Sequence, residues 1–141
     1  MKRTAQARWQ GDLKAGTGSI TTASHTLNST PYSFQARFAE GQGTNPEELL
    51  AAAHAGCFTM AVSAQLGVAG LTAESLETAC TITFEKLPDG FEITESHLEL
   101  KAKVPGASEE AFEKAVQNAK TGCPVSKLYK TNITLSFKLE N

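Results

Sequence analysis

Apolar and polar positions alternate in short runs over the first third of the chain. Thr4 to Gln10, Thr17 to Thr22 and Tyr32 to Phe38 each read as a strand, and Gly11-Asp12, Gly16, Gly18 and Asn28-Ser29-Thr30-Pro31 break them as turns do. The pattern predicts an antiparallel meander. On its third strand, alternation puts Ser33, Gln35 and Arg37 on one face and Phe34, Ala36 and Phe38 on the other. The period then changes. Asn45 is placed to cap a helix, Pro46 suits its first position, and Glu48 can close a capping box. A long helix is therefore expected from here to about Leu66. Its apolar and small residues, from Leu49 through Ala55 and Phe58 to Val62, go all the way round, which predicts a helix buried on most faces.

Beyond Gly67 and Gly70, the runs Glu77 to Glu85 and Phe91 to Val104 flank Pro88-Asp89-Gly90, a hairpin signal. Ser108 caps a second helix that runs through Lys120 with Ala111, Phe112, Ala115, Val116 and Ala119 as its apolar stripe, and Gly122 ends it. Pro124 opens a further helical turn, and Thr131 to Leu139 alternates as a last strand.

Composition narrows the function. A chain of 141 residues with 40% apolar and 20% charged residues and a net charge of -2 has the balance of one globular domain, with no attraction for nucleic acid. The basic start lacks an apolar segment behind it, so no secretory signal is expected and the protein is read as cytoplasmic. Leu49 to Ala69 is the only candidate membrane segment, but it holds His54, Ser63 and Gln65 and is largely alanine, so it reads as a buried helix of a soluble protein. Three cysteines without a CxxC spacing are no disulfide scaffold. Any pair that matters must be brought together by the fold.

Cys57 lies well inside the long helix, with His54 on the same face one turn earlier, so a filler cysteine, a metal pair or a Cys–His nucleophile are all open readings. A zinc site would need His25, His97 or Cys123 as further ligands, without supporting spacing, and His54 reads as a packed or hydrogen-bonded side chain. Cys123 is held at a cap between Gly122 and Pro124, where helix-end amides would stabilise its thiolate. Cys80 sits in a strand pattern and reads as structural.

The run Thr44-Asn45-Pro46-Glu47-Glu48-Leu49-Leu50-Ala51-Ala52-Ala53-His54-Ala55-Gly56-Cys57-Phe58, followed by Gly122-Cys123-Pro124-Val125-Ser126, resembles the signature of the OsmC/Ohr family. Trp9-Gln10-Gly11-Asp12, Tyr32-Ser33-Phe34 and Ile133-Thr134-Leu135 extend the resemblance over nearly the whole chain, and His54 with Arg37-Phe38 is closer to the OsmC branch. The resemblance implies an α+β fold of antiparallel sheets with a long buried central helix and a second helix, assembled as an intertwined homodimer. It implies a peroxidase acting on organic hydroperoxides without a cofactor, in which Cys57 attacks the peroxide and Cys123 resolves the product as a disulfide. Arg37 and Glu47 match the activating arginine and the acid that holds it, with Arg8 as the competing arginine. A dithiol, in some relatives a lipoyl group, is the implied reductant.

Such a thiol needs a cation, because a free cysteine is mostly protonated at neutral pH and Cys57 lies ~16 Å beyond the helix start. Phe34, Phe38, Leu49, Phe58 and Met60 are the apolar residues expected to wall the site. Glu47 and Cys57, ten residues apart on one helix, are ~15 Å apart along its axis, so either the helix breaks near Ala52 or Glu47 serves the partner's site. Two other classes stay open: a non-catalytic protein binding an apolar ligand around Phe58 and Met60, and a Cys–His acyl hydrolase.

Overall fold

The computed structural model describes residues 1–140. The chain divides into two compact units, the first ending at Leu49 and the second beginning at Leu50.

The first unit holds β1 (Ala5–Gln10), β2 (Thr17–Thr22) and β3 (Thr30–Tyr32), an antiparallel sheet in that order. Its register pairs Trp9 with Gly18 and Gly18 with Tyr32. The two rings close over the glycine, 5.4 Å apart between centroids, and a Cβ at Gly18 would collide with both. The expected third strand ends early. Ser33 caps instead, its Oγ accepting the Ala36 N–H at 3.1 Å, and Phe34–Phe38 forms a short helix, α1. The rings of Phe34 and Phe38 meet in a tilted pair, 4.6 Å between centroids. Two phenylalanines four apart satisfy a helix turn as well as a strand face, and the serine cap decides between them. Arg37 therefore stands in the last turn of a helix, not on a strand face with Ser33 and Gln35.

Gly43, at φ +102°, turns the chain so that the Thr44 N–H reaches the Pro31 carbonyl at 2.9 Å. Asn45 then starts α2 (Pro46–Val68): its Oδ1 accepts the Glu48 N–H at 2.8 Å, and its Nδ2 donates to the Ala36 carbonyl at 2.9 Å. Glu48 accepts from the Thr44 hydroxyl at 2.9 Å, the side chain that takes up the carboxylate expected to complete the capping box.

In the second unit, β4 (Ser75–Leu87) and β5 (Gly90–Lys103) form the expected hairpin, and β6 (Asn132–Leu139) lies on the other side of β5. The α+β fold stands, but β6 runs parallel to β5. The reason is the connection: α3 (Glu109–Gly122), capped by Ser108, and α4 (Pro124–Leu128) lie between the two strands and carry the chain back to the same end of the sheet.

Alternate residues of β5, Leu98, Leu100 and Ala102, meet Phe58, Val62 and Leu66 of α2 and Phe112, Ala115, Val116 and Ala119 of α3 in one core. On α2 the buried residues are His54, Phe58, Val62 and Leu66, a single stripe at four-residue spacing. Within one chain α2 is covered along that stripe alone: Ala52, Ala53, Gly56, Ser63 and Ala64 are exposed and Met60 is 77% exposed. Apolar residues around a helix allow burial on every side, whereas one chain of this topology covers only the stripe against β5 and α3. By length and composition α2 is also apolar enough to cross a membrane.

Phe58, wholly buried, anchors this core. Phe58→Ala should lower unfolding stability by ~3–5 kcal/mol in a urea titration. Phe91→Ala, at a position 54% exposed, should cost less than half as much; equal losses would contradict the assignment of the core.

Candidate active site

Two pairs of side chains meet, one in each unit. In the second unit α2 presents Cys57 more than two turns from its start, and the corner between α3 and α4 presents Cys123. Gly122 ends α3 and Pro124 begins α4, so Cys123 is at once the C-cap of one helix and the N-cap of the next. Its N–H bonds to the Ala119 carbonyl at 2.9 Å and its carbonyl accepts the Lys127 N–H at 3.1 Å. With its backbone held at both ends, Cys123 directs Sγ to within 2.8 Å of Cys57 Sγ. A disulfide bond is ~2.05 Å, so only a short closure separates the free thiols from one.

The two thiols differ in access. Cys123 is wholly buried, whereas Cys57 is partly exposed. Burial, first, and the neighbouring Cys123 thiol raise the pKa of Cys57, and a hydrogen bond from the Val125 amide opposes them. The sequence places helix-end amides at the sulfur of Cys123, whose side chain makes no capping hydrogen bond. The α4 amide is aimed across the corner at the other sulfur. Sequence spacing alone carries no signal for this, because it depends on how α4 docks on α2.

In the first unit Arg37 and Glu47 form a two-pronged pair. Nη2 donates to Oε1 at 2.8 Å, and Nε lies 3.2 and 3.3 Å from the two carboxylate oxygens. Glu47 is the more buried partner. The Arg37 guanidinium also stands 5.3 Å from the centre of the Phe38 ring. Arg37, Phe34 and Phe38 line a cavity of about 230 Å³ together with Trp9, Tyr32 and Pro46. Two of the expected apolar wall residues are therefore beside the arginine. Phe58 and Met60 share no wall: the first is in the core and the second is exposed. Arg8 is exposed on β1, paired with Ser19 across the sheet.

His54 is fully buried, with Nδ1 2.6 Å from Ser96 Oγ and Nε2 2.8 Å from Ser126 Oγ. The expectation of a hydrogen-bonded histidine holds. Both ring nitrogens are engaged, so His54 offers no base to Cys57, which removes the basis for a Cys–His nucleophile. Cys80 lies half-buried with Sγ 3.3 Å from Ser96 Oγ. Ser96 and Ser126 hold His54 in place, and although Ser126 belongs to the Gly122-Cys123-Pro124-Val125-Ser126 run, no spacing in the sequence points from either serine to His54.

The family model of OsmC-like proteins matches residues 39–138. Peroxiredoxin OsmC of Escherichia coli is 46% identical over 136 residues, which cover 96% of this chain and 95% of that protein. Organic hydroperoxide resistance protein-like 1 of Staphylococcus epidermidis is 35% identical over 103 residues, 72% of this chain and 73% of that one. The crystal structure of an OsmC-like protein from Mycoplasma pneumoniae superposes with a TM-score of 0.78 over 100% of this chain and 99% of that chain; at 16% identity this is a likeness of fold. With the two-cysteine corner, the α+β topology and these relatives in agreement, the chain belongs to the OsmC-like family.

Proposed function

We propose that this protein is a thiol peroxidase that reduces organic hydroperoxides, with Cys57 as the attacking sulfur and Cys123 as its resolving partner. The observation that carries the reading is the pair of free thiols 2.8 Å apart, one partly exposed and one buried. The relatives named peroxiredoxin and organic hydroperoxide resistance protein support peroxidase-type chemistry.

The Cys57 thiolate attacks one oxygen of the peroxide; the O–O bond breaks, the alkoxide takes up a proton and leaves as an alcohol, and Cys57 becomes a sulfenic acid. Cys123 then attacks the Cys57 sulfur, the S–O bond breaks, and water leaves behind a disulfide. An external dithiol returns both thiols by exchange. Buried Cys123 is shielded from peroxide and acts only on the sulfenic acid beside it.

The raised pKa of Cys57 means that its thiolate needs a positive charge brought close. Arg37, oriented by Glu47, is the proposed source, and it can also donate to the departing alkoxide. α2 is unbroken from Pro46 to Val68, so Glu47 and Cys57 of one chain are ~15 Å apart along its axis. We therefore assign the Arg37–Glu47 pair of one subunit to the Cys57 of a two-fold mate. The uncovered small residues Ala52, Ala53 and Gly56 support such close helix packing.

Two outcomes test this reading. Cys57→Ser should abolish peroxide reduction, while Cys123→Ser should react once and then accumulate sulfinic acid at Cys57 by mass spectrometry. First oxidation at Cys123 would reverse the assignment. Refolding inactive Glu47→Ala together with inactive Cys57→Ser subunits should restore part of the activity in heterodimers. A monomer by sedimentation, or verified heterodimers without activity, would reject a site built from two chains.

A further inference from the structure

The corner that carries Cys123 is joined to α2 by two rungs rather than one. Cys57 faces Cys123 across 2.8 Å, and one turn away on both elements His54 Nε2 faces Ser126 Oγ, also at 2.8 Å. The spacing is reciprocal: His54 precedes Cys57 by three residues, and Ser126 follows Cys123 by three. We infer that His54 and Ser126 are positioning residues for the resolving step, a hydrogen-bonded rung that holds α4 in the register on α2 at which Cys123 meets Cys57. The inference rests on the thiol peroxidase reading above and concerns its second half-reaction.

Several features favour this role over simple core filling. α4 is a five-residue helix, too short to hold its own position. Among the described residues, its side-chain hydrogen bonds to α2 are the Ser126 hydroxyl on His54 and, at its C-cap, the Tyr129 hydroxyl on the Leu50 carbonyl at 2.8 Å. The Tyr129 ring also stands edge-on to the His54 ring at 5.0 Å. The imidazole is itself fixed from the opposite side by Ser96 on β5, so the rung is braced against the sheet. Burial lowers the pKa of His54 and keeps the ring neutral, so one ring nitrogen donates and the other accepts, and a serine hydroxyl suits either role. His54, Ser96 and Ser126 are all buried, and water is a poor substitute for a lost partner there.

The chemistry makes register matter more for one step than for the other. Peroxide attack needs the Cys57 thiolate, its activating arginine and the approaching hydroperoxide, and draws on α4 only through the Val125 amide. Closure needs Cys123 Sγ behind the Cys57 S–O bond as that bond breaks and water leaves, a geometry that a slack α4 would sample less often. A loosened rung therefore lengthens the life of the sulfenic acid and exposes it to a second peroxide.

Single-turnover kinetics separate the two steps. In Ser126→Ala the rate of peroxide consumption should stay within about twofold of wild type, while disulfide closure should slow by about tenfold, the equivalent of ~1.4 kcal/mol. The yield of sulfinic acid at Cys57 should rise in step, and Ser126→Thr, which keeps a hydroxyl, should restore closure. Ser96→Ala removes the other hydrogen bond of the same histidine and should destabilise the fold comparably, yet slow closure by no more than about threefold. A second measurement needs no peroxide: equilibrating the Cys57–Cys123 pair against reduced and oxidised dithiothreitol should show the equilibrium constant for disulfide formation falling about tenfold in Ser126→Ala. Closure and equilibrium at wild-type values in Ser126→Ala, or equal slowing of both half-reactions, or identical effects of Ser96→Ala, would each overturn the positioning role. A wild type that loses no thiols to peroxide, with the dithiothreitol shift still seen in Ser126→Ala, would instead sink the peroxidase reading and leave the rung as a device of disulfide formation alone.

Discussion

The second unit is organised by one contact: the stripe His54, Phe58, Val62 and Leu66 of α2 against the inner face of β5 and against α3. Phe58, Val62 and Leu66 are apolar and supply the burial, while His54 at the end of the stripe is polar and must be satisfied inside. The two conditions are met by different elements. Leu98, Leu100 and Ala102 take the apolar part, and Ser96, two residues earlier on the same face of β5, takes the imidazole. Once α2 is seated in this way, Cys57 is turned toward the α3–α4 corner. The Gly122-Cys123-Pro124 sequence then makes that corner a sharp one.

The same packing sets the electrostatics of Cys57. A sulfur part-way out of a helix, beside another thiol and against a core, is held in its protonated form by burial above all. The Val125 amide offsets this only in part. A reactive thiol in such a place depends on a charge delivered from elsewhere, and the chain carries a guanidinium already oriented by a carboxylate in its other unit. The proposed mechanism thus assigns nucleophile and activator to different parts of the fold. A reactive Cys57 would then form only when the proper assembly has formed.

Much of this was legible in the sequence where the local chemistry is unambiguous. The Asn45-Pro46 start of α2, the Ser108 cap of α3 and the Pro88-Asp89-Gly90 hairpin need only nearby residues to be read. The pairing of Cys57 with Cys123 came from the resemblance, as did the pairing of Arg37 with Glu47, and the structure brings each pair together. Reading failed where a pattern fits two structures or where the partner is remote in sequence. Phe34, Ala36 and Phe38 match strand alternation and a helix turn alike, so alternation predicts a strand where α1 forms. The parallel pairing of β6 follows from the path of two helices rather than from its own residues. Ser96 and Ser126 become visible only when β5 and α4 meet α2. The all-round apolar character of α2 predicts burial on most faces, and one stripe of it is covered within the chain.

The central claim is that Cys57 and Cys123 form a redox pair driven by an organic hydroperoxide, with Cys80 outside it. Counting free thiols per chain before and after one equivalent of cumene hydroperoxide, followed by peptide mapping, tests it most directly. The account predicts that the three free thiols fall to one, with Cys80 still open to alkylation after unfolding and Cys57 linked to Cys123. Three thiols remaining, or a linkage that includes Cys80, would contradict it.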